Sequence, residues 1–221
     1  MIQIKALIFD FDGLIFDTET PLFEAWRECY DAHGHQLELE QYAAFVGTDE
    51  SVFDPVSDLE NRHLEQIDWG HWNQKRSESI REALCDQRPL PGIAECLEEA
   101  ADNGLPCAVA SSSPRSWVEP LLNKLKLGHH FQSTHCLDDV KKPKPDPELF
   151  QQAAKDLDVE ACEALVFEDS LNGLEAAVSA GMPCVVIPSS VTKHLEFPEA
   201  SLRLGSLAEM SLAEILTRLL K

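Results

Sequence analysis

Positive charge is scarce in this sequence: 18 Lys and Arg stand against 39 Asp and Glu, for a formal net charge of −21. A surface of that sign repels phosphate backbones and anionic membranes, so neither nucleic acid nor a membrane is expected as a partner. It also repels a small phosphorylated molecule at long range. Any phosphate site must therefore be cationic locally, through a metal ion, a Lys or backbone N–H groups. Long apolar runs are missing too. No stretch approaches the ~20 residues that a membrane span needs. The first apolar run, Ala6 to Phe9, is short and leads straight into Asp10 and Asp12, so no leader peptide is read there. Paired cysteines are absent. The seven cysteines (Cys29, Cys85, Cys96, Cys107, Cys136, Cys162, Cys184) are scattered, odd in number and without a Cys-x-x-Cys spacing. They read as reduced thiols of a cytoplasmic protein. No internal repeat and no low-complexity segment is present.

What is present is globular composition, 44% hydrophobic and 26% charged over 221 residues, enough for one core or a core with a smaller insert. Ile2 to Phe9 reads as a buried strand of a parallel sheet, broken at Gly13. From Glu19 the pattern turns helical. Phe23, Trp26 and Tyr30 recur at helical spacing up to Gly34, and Leu39 to Val46, Val52 to Ile67 and Trp72 to Leu84 are further helices. Pro89-Leu90-Pro91-Gly92 punctuates this stretch. Beyond it, strands and helices alternate. Strands are expected at Leu105 to Ala110, Ser133 to Leu137, Ala164 to Phe167 and Cys184 to Ile187. Helices are expected at Ile93 to Asp102, Trp117 to Leu125, Pro147 to Leu157, Leu171 to Ala180 and Leu207 to Leu220. Alternation of this kind builds βαβ units. The expected fold class is α/β, a Rossmann-like parallel sheet core with an inserted all-α cap domain. The core would comprise residues 1–15 and 89–221, and the cap residues 16–88.

The reactive side chains gather where the expected strands end, which is where open parallel sheets bind ligands. Four strand ends carry suitable groups: Asp10 and Asp12, Ser111, Lys142, and Glu168 with Asp169. Carboxylates from both ends of the chain can jointly hold a hard cation such as Mg²⁺. A carboxylate beside it can attack phosphorus, a second can shuttle the proton, and a Lys with Ser hydroxyls can hold the transferring phosphoryl group.

These residues resemble a known set. Asp10-Phe11-Asp12-Gly13-Leu14-Ile15-Phe16-Asp17-Thr18 resembles the first motif of the haloacid-dehalogenase-like hydrolases. Ser111 at a strand end resembles the second. Lys142-Pro143-Lys144-Pro145-Asp146 resembles the Lys-Pro-x-Pro-Asp form of the third, and Phe167-Glu168-Asp169-Ser170 the fourth. The order is right, and the helical stretch sits where that family inserts its cap. The resemblance is to the branch with β-phosphoglucomutase and phosphoglycolate phosphatase. It implies Asp10 as nucleophile and Mg²⁺ ligand, and Asp12 as general acid/base and ligand through its carbonyl. It implies Asp169 and Glu168 as further ligands, Ser111 and Ser112 on the phosphoryl oxygens, and Lys142 neutralising the phosphoryl charge. Lys141 and Lys144 are near rivals of Lys142, which the spacing selects. Asp17 and Thr18 are read as structural and hinge residues.

The activity implied is a Mg²⁺-dependent phosphatase acting on a small phosphorylated metabolite, with a sugar phosphate first, in a monomer. Mutases of this type carry a His where this chain has Leu22, and an Arg after a Gly in the cap. Near Gly47 this chain has Thr48, Asp49 and Glu50 instead, which disfavours a mutase. A receiver-like phosphoacceptor or binding module is the non-enzyme alternative. It predicts no helical insert and a phosphoacceptor on a later strand.

Overall fold

The computed structural model describes residues 3–47 and 53–219. Thr48, Asp49 and Glu50, on which part of the argument against a mutase rests, lie outside the described residues. Among the described residues six strands form one sheet: β1 (Ala6–Phe9), β2 (Cys107–Ala110), β3 (Phe131–His135), β4 (Ala164–Glu168), β5 (Cys184–Val186) and β6 (Leu202–Arg203). Their order is β3-β2-β1-β4-β5-β6 and every pairing is parallel. The α/β expectation holds. Two-residue β6 carries too little pattern to be seen in advance.

β1 is central, hydrogen-bonded to β2 on one side and β4 on the other, and all four of its residues are buried. This is why it reads as a continuous apolar run rather than an alternating one. Both faces of the sheet are covered by helices. Between β1 and β2 the chain forms α1 (Glu19–Ala32), α2 (Leu39–Ala43), α3 (Pro55–Arg62), α4 (Trp69–Leu84) and α5 (Ile93–Asp102). After β2 come α6 (Arg115–Leu125), α7 (Glu148–Asp156), α8 (Leu171–Ser179) and α9 (Leu212–Leu219). Leu7 and Phe9 pack toward α5, α6 and α9, while Ala6 and Ile8 pack toward α7 and α8. The Phe9 ring stacks on Phe167 of β4 at 4.7 Å between centroids. Asp10, next in the alternation, falls on the α7 side, which decides which lysine can reach it.

The four helices α1–α4 enclose a separate apolar cluster built on Phe23, Trp26, Tyr30, Tyr42 and Leu59. Among its described residues the insert is all-helical, as expected, but two helices are shorter than the sequence pattern suggests. The stretch from Val52 to Ile67 yields only α3, because Asp54 accepts hydrogen bonds from the Val56 and Ser57 amides and Pro55 fixes the first turn. α2 stops at Ala43 rather than Val46. The residues that follow, 44–47, lie against the core instead. The Asn172 side-chain amide donates to the Ala44 and Val46 carbonyls at 3.2 and 2.8 Å, and the Ser112 hydroxyl donates to the Gly47 carbonyl at 2.9 Å. Gly47 has φ +83°, and a Cβ there would stand 2.3 Å from the Ser170 hydroxyl. Only glycine permits this close approach.

All seven cysteines are free, and five of them are buried. Among the described residues no helix is long and apolar enough to cross a membrane.

Candidate active site

The β1 ladder runs one residue past the strand, the Asp10 amide donating to the Phe167 carbonyl at 3.0 Å; the Ser111 amide likewise donates to His135. Asp10, Ser111 and Glu168 are thereby fixed at the carboxyl ends of β1, β2 and β4. The strand order reverses between β1 and β4, the crevice where such sheets bind ligands.

The cation at this point is Lys144. It is fully buried, and its ammonium donates to Asp10 Oδ1 at 2.5 Å and Glu168 Oε1 at 2.6 Å. Lys142, the residue selected by spacing, is exposed. The Lys-Pro-x-Pro-acidic pattern occurs twice in overlapping register, as Lys142-Pro-Lys-Pro-Asp146 and as Lys144-Pro-Asp-Pro-Glu148. The second copy runs directly into α7, which covers the Asp10 side of the sheet. The Lys144 amide also donates to the Ser112 hydroxyl at 3.1 Å, holding this loop against β2. Ser112, expected to bind phosphate, is thus engaged between the Lys144 loop and Gly47.

Burial works against the Lys144 ammonium, but the Asp10 and Glu168 charges outweigh it and hold its pKa above the ordinary lysine value. Burial pushes Asp10 well above the usual carboxylate range, with Lys144 pulling the other way and the Glu168 and Asp12 charges adding to the rise. Burial also raises Asp169, as do the charges of Glu168 and Asp10.

Asp12 points to a different set of partners. Its Oδ1 accepts from the Thr18 hydroxyl and the Trp117 indole N–H, both at 2.8 Å, and its Oδ2 accepts from the Ser111 hydroxyl at 3.1 Å. Asp17 takes up the start of α1, accepting from the Thr20 amide at 3.1 Å. Thr18, read as a hinge residue, holds Asp12. Trp117 was not visible as a site residue: it sits in the first turn of α6 and meets Asp12 only through the tertiary fold.

Residues 7–187 match the signature of the haloacid dehalogenase-like hydrolases. The chain belongs to that family. It is 42% identical to YhcW of Bacillus subtilis over 98% of both chains. It is 31% identical to the phosphorylated carbohydrates phosphatase of Thermotoga maritima, over 96% of this chain and 97% of that one. CbbY of Rhodobacter sphaeroides, solved in complex with xylulose-1,5-bisphosphate, superposes with a TM-score of 0.75 at 29% identity, covering 96% of this chain and 99% of that one. The chain is a phosphoric monoester hydrolase of haloacid dehalogenase type.

In this haloacid dehalogenase-like hydrolase the donor set fits a hard divalent cation. Asp10, Glu168 and Asp169 each offer a carboxylate oxygen, all within 4.8 Å of one another. Asp169 Oδ2 is buried and has no hydrogen-bond partner among the described residues. An orphaned carboxylate oxygen among other carboxylates calls for a cation. Gly13, at φ +77°, leaves the space open: a Cβ there would stand 2.2 Å from Asp169 Oδ2. The Asp12 carboxylate is not part of this trio.

Glu168 is pinned from all sides. Its Oε2 accepts from the Asp169 amide at 2.8 Å and from the Ser170 amide and hydroxyl at 3.0 Å each. Gly173 in α8 faces it, and a Cβ there would stand 1.9 Å from the Glu168 carboxyl carbon. Gly→Ala within a helix ordinarily stabilises by about 1 kcal/mol. Overpacking against a group that cannot move costs about 1–3 kcal/mol or more, so the clash is expected to win here. Gly173→Ala should lower the urea midpoint with an unchanged m-value, corresponding to a loss of about 2 kcal/mol. A midpoint at or above that of the wild type would show that Glu168 is free to shift.

Proposed function

We propose that the protein hydrolyses monophosphate esters of sugars or sugar alcohols in a Mg²⁺-dependent reaction, through an aspartyl-phosphate on Asp10. The observation that carries this reading is the buried meeting of Asp10, the orphaned Asp169 oxygen and the Lys144 ammonium at the end of β1. The names of relatives that act on phosphorylated carbohydrates, fructose 1-phosphate and hexitol phosphates support the substrate class.

Asp10, Asp169 and Glu168 would hold the Mg²⁺, with the Asp12 carbonyl as a further ligand. When bound, the ion neutralises phosphoryl oxygens and the crowded carboxylates. One Asp10 carboxylate oxygen attacks phosphorus and the P–O bond to the sugar breaks. Asp12, held by Thr18, Ser111 and Trp117, gives its proton to the departing alkoxide. It then takes a proton from the water that attacks the acyl phosphate, returning Asp10 and releasing inorganic phosphate. Lys144 offsets the negative charge of Asp10 and the phosphoryl group. The Ser111 hydroxyl, which reaches Asp12 in the free protein, turns to a phosphoryl oxygen. Residues 16–88 act as the cap, and segment 44–47 at Asn172 and Ser112 is where the cap shuts on the core and excludes water.

The test is phosphate release from p-nitrophenyl phosphate, fructose 1-phosphate and sorbitol 6-phosphate, with Mg²⁺ and with EDTA. β-Glucose 1-phosphate with a bisphosphate activator is assayed alongside. Mg²⁺-dependent release from the sugar phosphates is the expected result. Isomerisation of β-glucose 1-phosphate without phosphate release would replace the hydrolase with a mutase, and release unaffected by EDTA would remove the metal.

A further inference from the structure

We propose that Thr192 is a positioning residue for Asp169, one of the carboxylates that would hold the cation. The inference rests on the metal-dependent reading above and adds to it a residue from outside the four motifs.

Asp169 lies just past the reach of the sheet. The Ile187 amide makes a ladder bond to the Glu168 carbonyl at 2.7 Å. One residue further on, both backbone groups of Asp169 are held by side chains. Its amide donates to Glu168 Oε2 at 2.8 Å, and its carbonyl accepts from the Thr192 hydroxyl at 2.7 Å. One bond fixes each end of the residue. Together they set the direction in which the Asp169 carboxylate leaves the backbone, with its unpartnered Oδ2 free for a cation.

Thr192 is fully buried and its neighbour in this turn, Ser189, is 7% exposed. A hydroxyl has one proton to give and two lone pairs to accept with. The Asp169 carbonyl can only accept, so the Thr192 proton goes there. The Ser189 hydroxyl, 3.1 Å from Thr192 Oγ1, is then the donor in that pair, and the Ser189 amide donates to the same oxygen at 3.0 Å. Thr192 Oγ1 thus takes two hydrogen bonds and gives one, which uses its whole capacity. Donors on this oxygen strengthen the bond it gives to Asp169.

The turn is anchored on its other side by the insert. Val191 is buried in the insert's apolar cluster, and the Ser190 hydroxyl meets that of Thr20 in α1 at 2.5 Å. The Thr192 hydroxyl therefore reaches Asp169 from a backbone held on both sides. Groups that orient a ligand without touching the metal contribute about 10–100-fold to its affinity.

The experiment titrates Mn²⁺ into the substrate-free protein and follows the EPR signal of the free ion, for the wild type, Thr192→Val, Thr192→Ser and Ser189→Ala. Thr192→Val keeps the shape of the side chain and removes the hydroxyl; its Kd is expected to rise ~10-fold or more. Thr192→Ser keeps the hydroxyl and should stay within about twofold of the wild type. Ser189→Ala leaves the backbone hydrogen bonds of the turn in place and removes one donor to Thr192, so its Kd should rise ~3-fold. Phosphate release from p-nitrophenyl phosphate should show the same ranking in the Mg²⁺ each variant requires, with the Thr192→Val rate recovering as Mg²⁺ is raised. An unchanged Kd in Thr192→Val, or in Ser189→Ala should the first variant not fold, overturns the positioning role. So does a rise in Thr192→Ser as large as that in Thr192→Val. A wild type that binds no Mn²⁺ removes the metal from the proposed function, and the role of Thr192 with it.

Discussion

Asp10→Asn is expected to lower phosphate release by ~10⁴-fold or more while leaving a folded protein. Asparagine keeps the shape of the side chain and removes only the nucleophilic charge. The buried Lys144 ammonium still has Glu168 at 2.6 Å, so it is not stranded. The substitution also removes a carboxylate that burial already disfavours, with the Glu168 and Asp12 charges adding to the effect. Stability should therefore change by no more than about 1 kcal/mol, read from thermal or urea melts. Acid quenching of the wild type during turnover should trap covalent phosphate on the protein, and the variant should trap none. A variant that releases phosphate within tenfold of the wild-type rate would remove Asp10 from the nucleophile's role.

Exchanging Lys144 for Met should cost ~10²–10³-fold in kcat/KM, whereas Lys142→Met should stay within about twofold. Lys144 is the group that opposes the upward push of burial on Asp10. Without it the Asp10 pKa rises further, more of the enzyme is protonated at a given pH, and the ionised nucleophile is recovered only at higher pH. The acidic limb of the pH–rate profile should accordingly move up in Lys144→Met and stay in place in Lys142→Met. Breaking the buried pair should also cost about 3 kcal/mol of stability near neutral pH. The raised Asp10 carboxyl binds a proton in the folded state that the unfolded chain has released, so this loss grows as pH rises above the ordinary carboxylate range and shrinks below it. A larger rate loss in the Lys142 variant than in the Lys144 variant would restore the reading from motif spacing.

The contrast between these lysines shows where sequence reasoning ran out. Asp10, Asp12, Ser111, Glu168 and Asp169 were legible because each lies at or just past an apolar run that folds as a buried parallel strand. The run itself marks where the side chain will point. Lys144 is in a loop between elements, its motif overlaps a shifted copy of itself, and only the direction in which α7 leaves the sheet separates the two registers. Trp117 carries no local signal at all. It belongs to a helix whose periodicity is explained by packing, and its place beside Asp12 exists only once α6 has docked on the sheet. The lengths of α2 and α3 were misjudged because Phe45 and Val46 continue the apolar pattern by packing in the insert's own cluster, outside any helix, and because Asp54 and Pro55 start α3 late.

The position of β1 in the sheet also shapes how the protein is made. Of the six described strands it is the first to be made, and its neighbours arrive late. Ile8 pairs with Ala108 of β2 and with Val166 of β4, about 100 and 160 residues further on. At ~5–20 residues per second of synthesis, the β4 edge of β1 waits ~8–30 s for its partner. Through that time a wholly apolar tetrapeptide, Ala-Leu-Ile-Phe, is exposed in the nascent chain, followed by carboxylates whose lysine has yet to emerge. The acidic residues just after it then act as gatekeepers against strand-to-strand aggregation before they act in catalysis.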